Sequence, residues 1–241
     1  MTKPFIIFDI WADFGHFKKY YTTSSPLTFS IPPRTAIIGL ISAIIGLDKN
    51  EYLSLMTKDK ADIAIRIINP IKKIRISQNL INTKDWFWTP VKRGKHKPRT
   101  PVRFEYLKEP KFRIYFSHSD DRIYNLFKEN LQNHKSVYTP CLGLSELIAD
   151  FRFVDEVLIE GNFNNEDFID ICSVIPLDTL KEIDLLVPDR RYFKERIPVE
   201  MFPGRIVTEY REVIYEINGN PIRAKVENAL VLNNKDVIVT L

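Results

Sequence analysis

The sequence predicts an α+β fold of the ferredoxin-like type, the fold of RNA-recognition modules. The first observation is the order of apolar runs and helical periods, which reads strand, helix, strand, strand, helix, strand. The second is a long basic excursion between the two middle strands, and the third is a strand-rich texture beyond residue 160. We therefore predict a ferredoxin-like domain over residues 1–160, with a long basic hairpin insertion at about residues 78–110, and a C-terminal β-rich extension over residues 161–241.

The first strand is predicted at residues 4–11, and an apolar helix follows two prolines at residues 35–47. Because this helix is apolar all round, we expect it to be buried on every side, with Thr35 as its N-cap. Its small residues share one face by their spacing and are Ala36, Gly39, Ala43 and Gly46. We expect this small face to lie close against the sheet or another backbone. A short helix is predicted at residues 49–56.

The middle of the chain predicts two strands around the basic excursion. Residues 61–77 are rich in isoleucine and read as one strand, bent or broken at Pro70 because proline lacks an N–H group. Residues 111–117 alternate between apolar and polar side chains and read as the next strand.

An amphipathic helix and a last strand complete the predicted domain. Residues 120–133 carry apolar side chains at helical spacing, and Ser117 or Ser119 is the expected N-cap. Residues 151–159 read as the last strand of the sheet. In the extension, Asn218-Gly219 predicts a tight hairpin turn, since both residues tolerate positive φ.

Composition is that of a globular protein with a modest positive charge. The chain has 241 residues, 44% of them hydrophobic, and a formal net charge of +4. Two cysteines, Cys141 and Cys172, suggest a reducing compartment rather than a disulfide framework. The N-terminal residues make a poor signal peptide, and no apolar run approaches the roughly 20 residues of a membrane span. We expect a cytoplasmic protein that has no contact with a membrane.

The excess positive charge is concentrated in one segment, from Lys84 to Arg113. It contains ten basic and three acidic residues, a balance of +7, whereas the rest of the chain balances to −3. The cations nominated for RNA binding, with one histidine, are Lys92, Arg93, Lys95, His96, Lys97, Arg99 and Arg103. Aromatic residues are interleaved with them, namely Trp86, Phe87, Trp88, Phe104 and Tyr106. Such a mixture suits a nucleic-acid backbone with splayed bases, and the alternative is a solvated basic loop over packed aromatics.

Arg34 is a further candidate, because it stands at the start of the apolar helix, where free N–H groups and the helix dipole favour an anion. Its guanidinium can bind a phosphate through two hydrogen bonds. We count Arg34 and the adjacent Thr35 among the candidate RNA-binding residues. The alternative is a surface arginine that the helix start merely tolerates.

Three segments carry a resemblance to a known family. Residues 5–17 (Phe-Ile-Ile-Phe-Asp-Ile-Trp-Ala-Asp-Phe-Gly-His-Phe) resemble the opening strand of the CRISPR-associated Cas-five family. The run from Tyr20 to Phe29, followed by Pro-Pro-x-Thr and a helix rich in glycine and alanine, is similar to that family's N-terminal signature in its type I-B form. Residues 138–145 (Tyr-Thr-Pro-Cys-Leu-Gly-Leu-Ser) resemble its Pro-x-Leu-Gly element.

The resemblance implies a subunit of the crRNA-guided Cascade complex that holds the 5′ handle of the crRNA. Its implied partners are the crRNA, the backbone subunit and the large subunit, while target DNA would be read indirectly, by base pairing with the guide. In relatives a long hairpin called a thumb occupies the place of the basic excursion here. The fold implied is the same ferredoxin-like domain.

The sequence offers little for catalysis. The histidines and cysteines lack zinc-like spacing, and no glycine-rich phosphate loop is present. We therefore predict no catalytic residue, no metal and no cofactor. Type I-C members of the family cleave precursor RNA with a tyrosine, a lysine and a histidine, and the corresponding residues here would be Tyr20 or Tyr21, Lys95 and His96.

The expected function is thus a non-catalytic, crRNA-binding Cascade subunit in antiviral defence. One alternative is a metal-independent endoribonuclease that processes CRISPR precursor RNA. The other is a structural assembly subunit whose basic excursion contacts protein only.

Overall fold

The computed structural model describes residues 4–22, 24–82, 98–163 and 167–241, which form many antiparallel strands and a few helices. The helices are α1 (Arg34–Ile45), α2 (Tyr52–Leu55) and α3 (Asp121–Gln132). The strands are β1 (Phe5–Trp11), β2 (Phe14–Gly15), β3 (Ala61–Ile67), β4 (Lys73–Ile81), β5 (Arg99–Lys108), β6 (Lys111–His118), β7 (Asp150–Val157), β8 (Ile159–Phe163), β9 (Ile169–Ile171), β10 (Ile175–Pro176), β11 (Leu180–Ile183), β12 (Tyr192–Phe202), β13 (Ile206–Glu216), β14 (Ile222–Val226), β15 (Ala229–Leu232) and β16 (Val237–Ile238). The predicted α+β class is confirmed.

A four-stranded antiparallel sheet with the order β3-β6-β1-β7 stands at the centre. One face is covered by α1 and α3, where the ring of Phe127 meets Phe8 and Phe116 edge to face at 5.1 Å. On the other face, residues near the start of β1 pack against β15 and β16 in a smaller apolar cluster. No helix in the described part of the chain is long and apolar enough to cross a membrane.

The isoleucine-rich segment, predicted as one strand bent or broken at Pro70, is broken there into two strands that lie in different sheets. β3 belongs to the central sheet, whereas β4 pairs with β5, which also pairs with β2, in a separate three-stranded sheet. Between them Pro70 cannot donate to a ladder, and the next residue, Ile71, donates its N–H to the carbonyl of Ile217 instead. The break therefore redirects the chain out of the central sheet.

Both long helices begin differently from the prediction. The N-cap of α1 is Pro33, which provides no side-chain cap, so the predicted cap Thr35 lies inside the first turn. The N-cap of α3 is Asp120, not Ser117 or Ser119, and its carboxylate accepts from the N–H of Arg122 at 2.8 Å. A carboxylate at this position also interacts favourably with the helix dipole.

The small face of α1 is the part of this helix that remains half-exposed, while its long apolar side chains are buried. At Gly39 an added Cβ would meet no atom within 4 Å, so the predicted close packing is wrong there. At Gly46, where φ is +78°, an added Cβ would lie 2.8 Å from Val137. Close approach therefore occurs only at the C-terminal end of this face.

Residues beyond 160 form strands, and several of them complete the same core as the central sheet. Ile197 and Val199 of β12, with Val213 and Tyr215 of β13, belong to the apolar cluster that contains α1. Further along, β14 pairs with β9 and β11 over a separate cluster. The C-terminal strands are thus joined to the first half of the chain by shared hydrophobic contacts.

The Asn218-Gly219 turn does not close a two-stranded hairpin as predicted. It leads from β13 to β14, which lie in different three-stranded sheets. Only Gly219 has positive φ (+81°), and the buried carboxylate of Glu216 accepts from the N–H groups of Asn218 and Asn220, both at 2.9 Å. Glu216 therefore shapes the turn in place of cross-strand pairing.

Arg34 ties three segments of the chain together. Its side chain is fully buried, and its guanidinium donates to the carbonyls of Val199 (3.1 Å), Met56 (3.1 Å) and Ala61 (2.8 Å). A carboxylate oxygen of Glu200 lies 4.0 Å from Nη1 of Arg34. Burial lowers the pKa of the Arg34 guanidinium from its ordinary value. The predicted role as a phosphate ligand is therefore wrong, because no face of this side chain meets solvent.

We expect Arg34→Met to lower the free energy of unfolding by on the order of 3 kcal/mol, because three buried carbonyls would be left without a charged donor. Thermal or denaturant unfolding measures the change. Arg122→Met is the matched control, since that side chain is 93% exposed. Equal stability of the two variants would contradict the structural role of Arg34.

The two ends of the small face should respond oppositely to an added methyl group. Gly39→Ala should raise stability by up to about 1 kcal/mol, because the site is open and alanine favours a helix. Gly46→Ala should lower it by about 1 kcal/mol or more, since positive φ is strained for alanine. Melting temperatures of both variants test this, and a destabilised Gly39→Ala would show that the face is packed.

Candidate nucleic-acid interface

The β4–β5 hairpin has one polar face and one apolar face. Strand register places Lys73, Arg75, Arg99 and Arg103 on the same side, and we call these four residues the cationic face. Glu105 lies among them, 3.6 Å from both Lys73 and Arg75. Arg99 and Arg103 are exposed and form no ion pair with a residue that the structure describes. The face therefore keeps an excess of positive charge open to solvent.

The opposite face of the hairpin is apolar and aromatic. Tyr106 is buried, and Phe104 stacks on it with ring centroids 6.0 Å apart. The ring of His16 packs against both aromatic rings, and Gln78 hydrogen-bonds the hydroxyl of Tyr106. Phe104 and Tyr106 thus attach the hairpin to the domain rather than present rings for bases.

His16 is the polar centre of that attachment. Its Nδ1 lies 2.7 Å from the carbonyl oxygen of Glu105, and because a carbonyl only accepts, Nδ1 carries the proton. In the neutral ring Nε2 is then an acceptor, which is buried without a partner among the described residues. Burial lowers the pKa of His16 below its ordinary value of 6.5, against the raising effect of the Glu105 carbonyl.

A groove of about 270 Å³ opens at the N-terminus of α1. Thr35 and Ala36 form one wall, the loop around Gly143 forms a second, and Lys18 and Arg205 add positive charge. Gly143 has φ +97°, and an added Cβ would lie 1.9 Å from the carbonyl oxygen of His16. Only glycine therefore lets this loop approach the backbone of His16, directly after β2, so closely.

The structure separates the predicted site residues. Arg99 and Arg103 lie together on the cationic face, Thr35 lines the groove, and Arg34 is internal. Five predicted residues lie outside the described residues: Lys92, Arg93, Lys95, His96 and Lys97. The aromatic residues Trp86, Phe87 and Trp88 lie outside them as well. Tyr20 and Tyr21 are exposed on the loop that follows β2.

Sequence reasoning missed Lys73 and Arg75 as members of this surface. Their signal was the period-two placement of cations in the segment that became β4, on the same side as Arg103. The signal was hidden because that segment was joined to β3 as one strand. Once the chain breaks after Ile67, the cations belong to the hairpin rather than to the central sheet.

Comparison with known proteins gives one family and a set of similar folds. The family model described as "CRISPR-associated protein (Cas_Cas5)" matches residues 5–214. A CRISPR protein from Archaeoglobus fulgidus is 14% identical, with a TM-score of 0.55 and 97% of each chain covered. A chain of a "CRISPR RNA-guided surveillance complex" is 12% identical, with a TM-score of 0.52 and 92% of each chain covered.

A third fold neighbour belongs to a type III-B Cmr-beta structure bound to cognate target RNA and AMPPnP. It is 11% identical with a TM-score of 0.53, and the match covers 96% of this chain and 98% of that one. At such identities these three likenesses show a shared fold. A search of curated proteins finds no match.

The buried imidazole of His16 should make stability depend on pH. Because its pKa is lowered in the folded protein, the unfolded chain takes up a proton first as pH falls below about 6.5. Stability should therefore be highest above that pH and decrease as pH falls towards the lowered pKa. Denaturant unfolding across this range should show a shallower decrease for His16→Phe than for the parent and for Arg122→Met. Parallel curves for all three proteins would contradict the neutral, buried state.

Proposed function

Because the chain belongs to the CRISPR-associated Cas5 family, we propose that it is a non-catalytic subunit of a type I Cascade complex in antiviral defence, which binds the 5′ handle of the crRNA. The observation that carries this proposal is the cationic face of the β4–β5 hairpin. Its exposed arginines are spaced along a two-stranded ribbon, which suits binding to successive phosphates of a single strand.

The surroundings of the hairpin support the same proposal. The loop over residues 18–28 packs against β5, since the N–H of Glu105 donates to the carbonyl of Pro26 at 3.0 Å. At the start of that loop lies the groove at the N-terminus of α1, with Lys18 and Arg205 in its lining. The loop therefore connects the cationic face to a groove whose lining includes two further cations, and a single RNA strand that follows the loop would meet both.

We interpret the β1-α1-β3-β6-α3-β7 unit as a ferredoxin-like domain, because its strand order and its two helices on one face fit a βαββαβ unit. We propose that this domain occupies residues 1–160, that the insertion at about residues 78–110 is the thumb of the family, and that residues 161–241 form an extension. The hairpin of β4 and β5 forms the base of the insertion.

The proposed partners follow from this role. They are the crRNA, the neighbouring backbone subunit and the large subunit, with target DNA recognised through the guide. Two fold neighbours come from structures described as an RNA-guided surveillance complex and a complex bound to target RNA, which supports an assembly of this kind.

The salt dependence of RNA binding tests the proposal. Purified protein is titrated with a labelled single-stranded repeat RNA at several salt concentrations, and the RNA is then recovered to check that it is intact. Replacing Arg75, Arg99 and Arg103 by alanine should weaken binding and flatten the salt slope by up to about 0.7 for each phosphate that the variant no longer binds. The fold should survive, because all three side chains are exposed.

The matched control removes three exposed cations elsewhere, with Arg122, Lys135 and Lys235 changed to alanine. Its net charge is the same, so a slope equal to that of the parent shows that position matters rather than total charge. If the two triple variants bind equally, the cationic face does not hold RNA. Recovery of cut RNA from the parent would favour the endoribonuclease, and absence of any binding would favour the protein-contacting subunit.

A further inference from the structure

Two tyrosines of the loop over residues 18–28 lie next to a tyrosine and an arginine of the C-terminal strands. Tyr20 and Tyr21 are 57% and 60% exposed, with ring centroids 5.1 Å apart and an interplanar angle of 89°. Tyr20 also lies 5.1 Å from the half-buried Tyr210 of β13, and the guanidinium carbon of Arg196 on β12 stands 5.0 Å from the Tyr210 ring centroid. We call Tyr20, Tyr21, Tyr210 and Arg196 the tyrosine platform.

The charge around the platform is not cancelled by the protein. Arg196 is exposed and has no ion-pair partner among the described residues. Glu212, opposite it in register, pairs with Lys194 at 2.8 Å instead. Glu195 is likewise bound by Lys19 at 2.8 Å. An accessible guanidinium over an aromatic ring, next to two exposed rings, offers a cation and π faces to the same ligand.

The platform is continuous with the surfaces already described. Pro198, the register partner of Tyr210, lines the groove at the N-terminus of α1, as does Lys18 at the start of the tyrosine loop. The same loop contacts β5, which carries Arg99 and Arg103 of the cationic face. The tyrosine platform therefore shares a loop with the cationic face, and it shares that loop and β12 with the groove.

We propose that the tyrosine platform stacks one or two splayed-out bases of single-stranded RNA, with Arg196 close to the adjoining phosphate. The inference rests on the proposed function and adds a base-stacking contact to it. Stacking on tyrosine and arginine tolerates any base, because every base has a π face. The platform therefore contributes affinity and fixes the path of the strand rather than its sequence.

Exposed tyrosine and arginine also occur at the centres of protein interfaces. The described residues favour RNA, because the platform has an unpaired cation and its loop contacts β5, which carries Arg99 and Arg103 of the cationic face. A protein partner is accordingly an outcome of the test.

The test uses the full chain and short single-stranded RNAs that carry 2-aminopurine at one position each, since the fluorescence of this base changes when it stacks. With the parent, one position or two adjacent ones should show a stacking signal. Tyr20→Ala should abolish that signal and bind about ten-fold more weakly or worse. Tyr20→Phe should keep both, because the ring rather than the hydroxyl makes the contact.

Tyr138→Ala is the control, since Tyr138 is also exposed (56%) but its N–H donates to the carbonyl of Ala43, near the C-terminal end of α1, whereas the groove lies at the N-terminus of this helix. Melting temperatures establish that each variant is folded. A parent that binds RNA while Tyr20→Ala binds equally well and keeps the signal would overturn the platform and leave the proposed function standing. That result would assign the platform to a protein partner instead.

Two further results are equally informative. Equally weakened binding in Tyr20→Phe and Tyr20→Ala would overturn stacking, because it assigns the effect to the hydroxyl. A parent that binds none of the RNAs would overturn the platform together with the proposed function.

Discussion

The packing of α1 against α2, β3 and β12 depends on one buried guanidinium. Arg34 stands at the first turn of α1 and donates to carbonyls from β12, from the end of α2 and from the start of β3. A cation at a helix N-terminus is unfavourable against the dipole, and its burial adds a desolvation cost. Three carbonyls and the nearby Glu200 offset both, so the interaction persists only while all these segments stay together.

The contacts of Arg34 also position the groove at the N-terminus of α1 and the tyrosine platform. With β12 held on α1, Pro198 and Met201 line the same groove as Phe17 and Lys18, and Tyr210 comes within stacking distance of Tyr20. The residues that line the groove therefore come from distant parts of the chain. The C-terminal strands act as one side of a shared surface, and they also complete the apolar core.

The cations near the hairpin and the tyrosine platform have two different roles. Lys73 and Arg75 lie near Glu105, and burial lowers the pKa of Lys73. Lys73 also donates to the carbonyl of Thr28. These cations therefore help to fix the loop over residues 18–28 to the hairpin. Arg99, Arg103 and Arg196 remain open to solvent. Some cations of this region therefore stabilise the fold, whereas neighbouring ones are accessible to a polyanion such as RNA. A count of basic residues does not distinguish these two groups.

Local patterns in the chain were enough to predict the α+β class, the order of the main strands and helices and the resemblance to the family, because periodicity and signature motifs are properties of short segments. The burial of Arg34, the separation of β3 from β4 and the turn at Gly219 emerged only from the tertiary structure. Arg34 binds a carbonyl 165 residues away, and the Gly219 backbone packs against Ile67. Such partners are chosen by packing across the whole molecule, which no local pattern records.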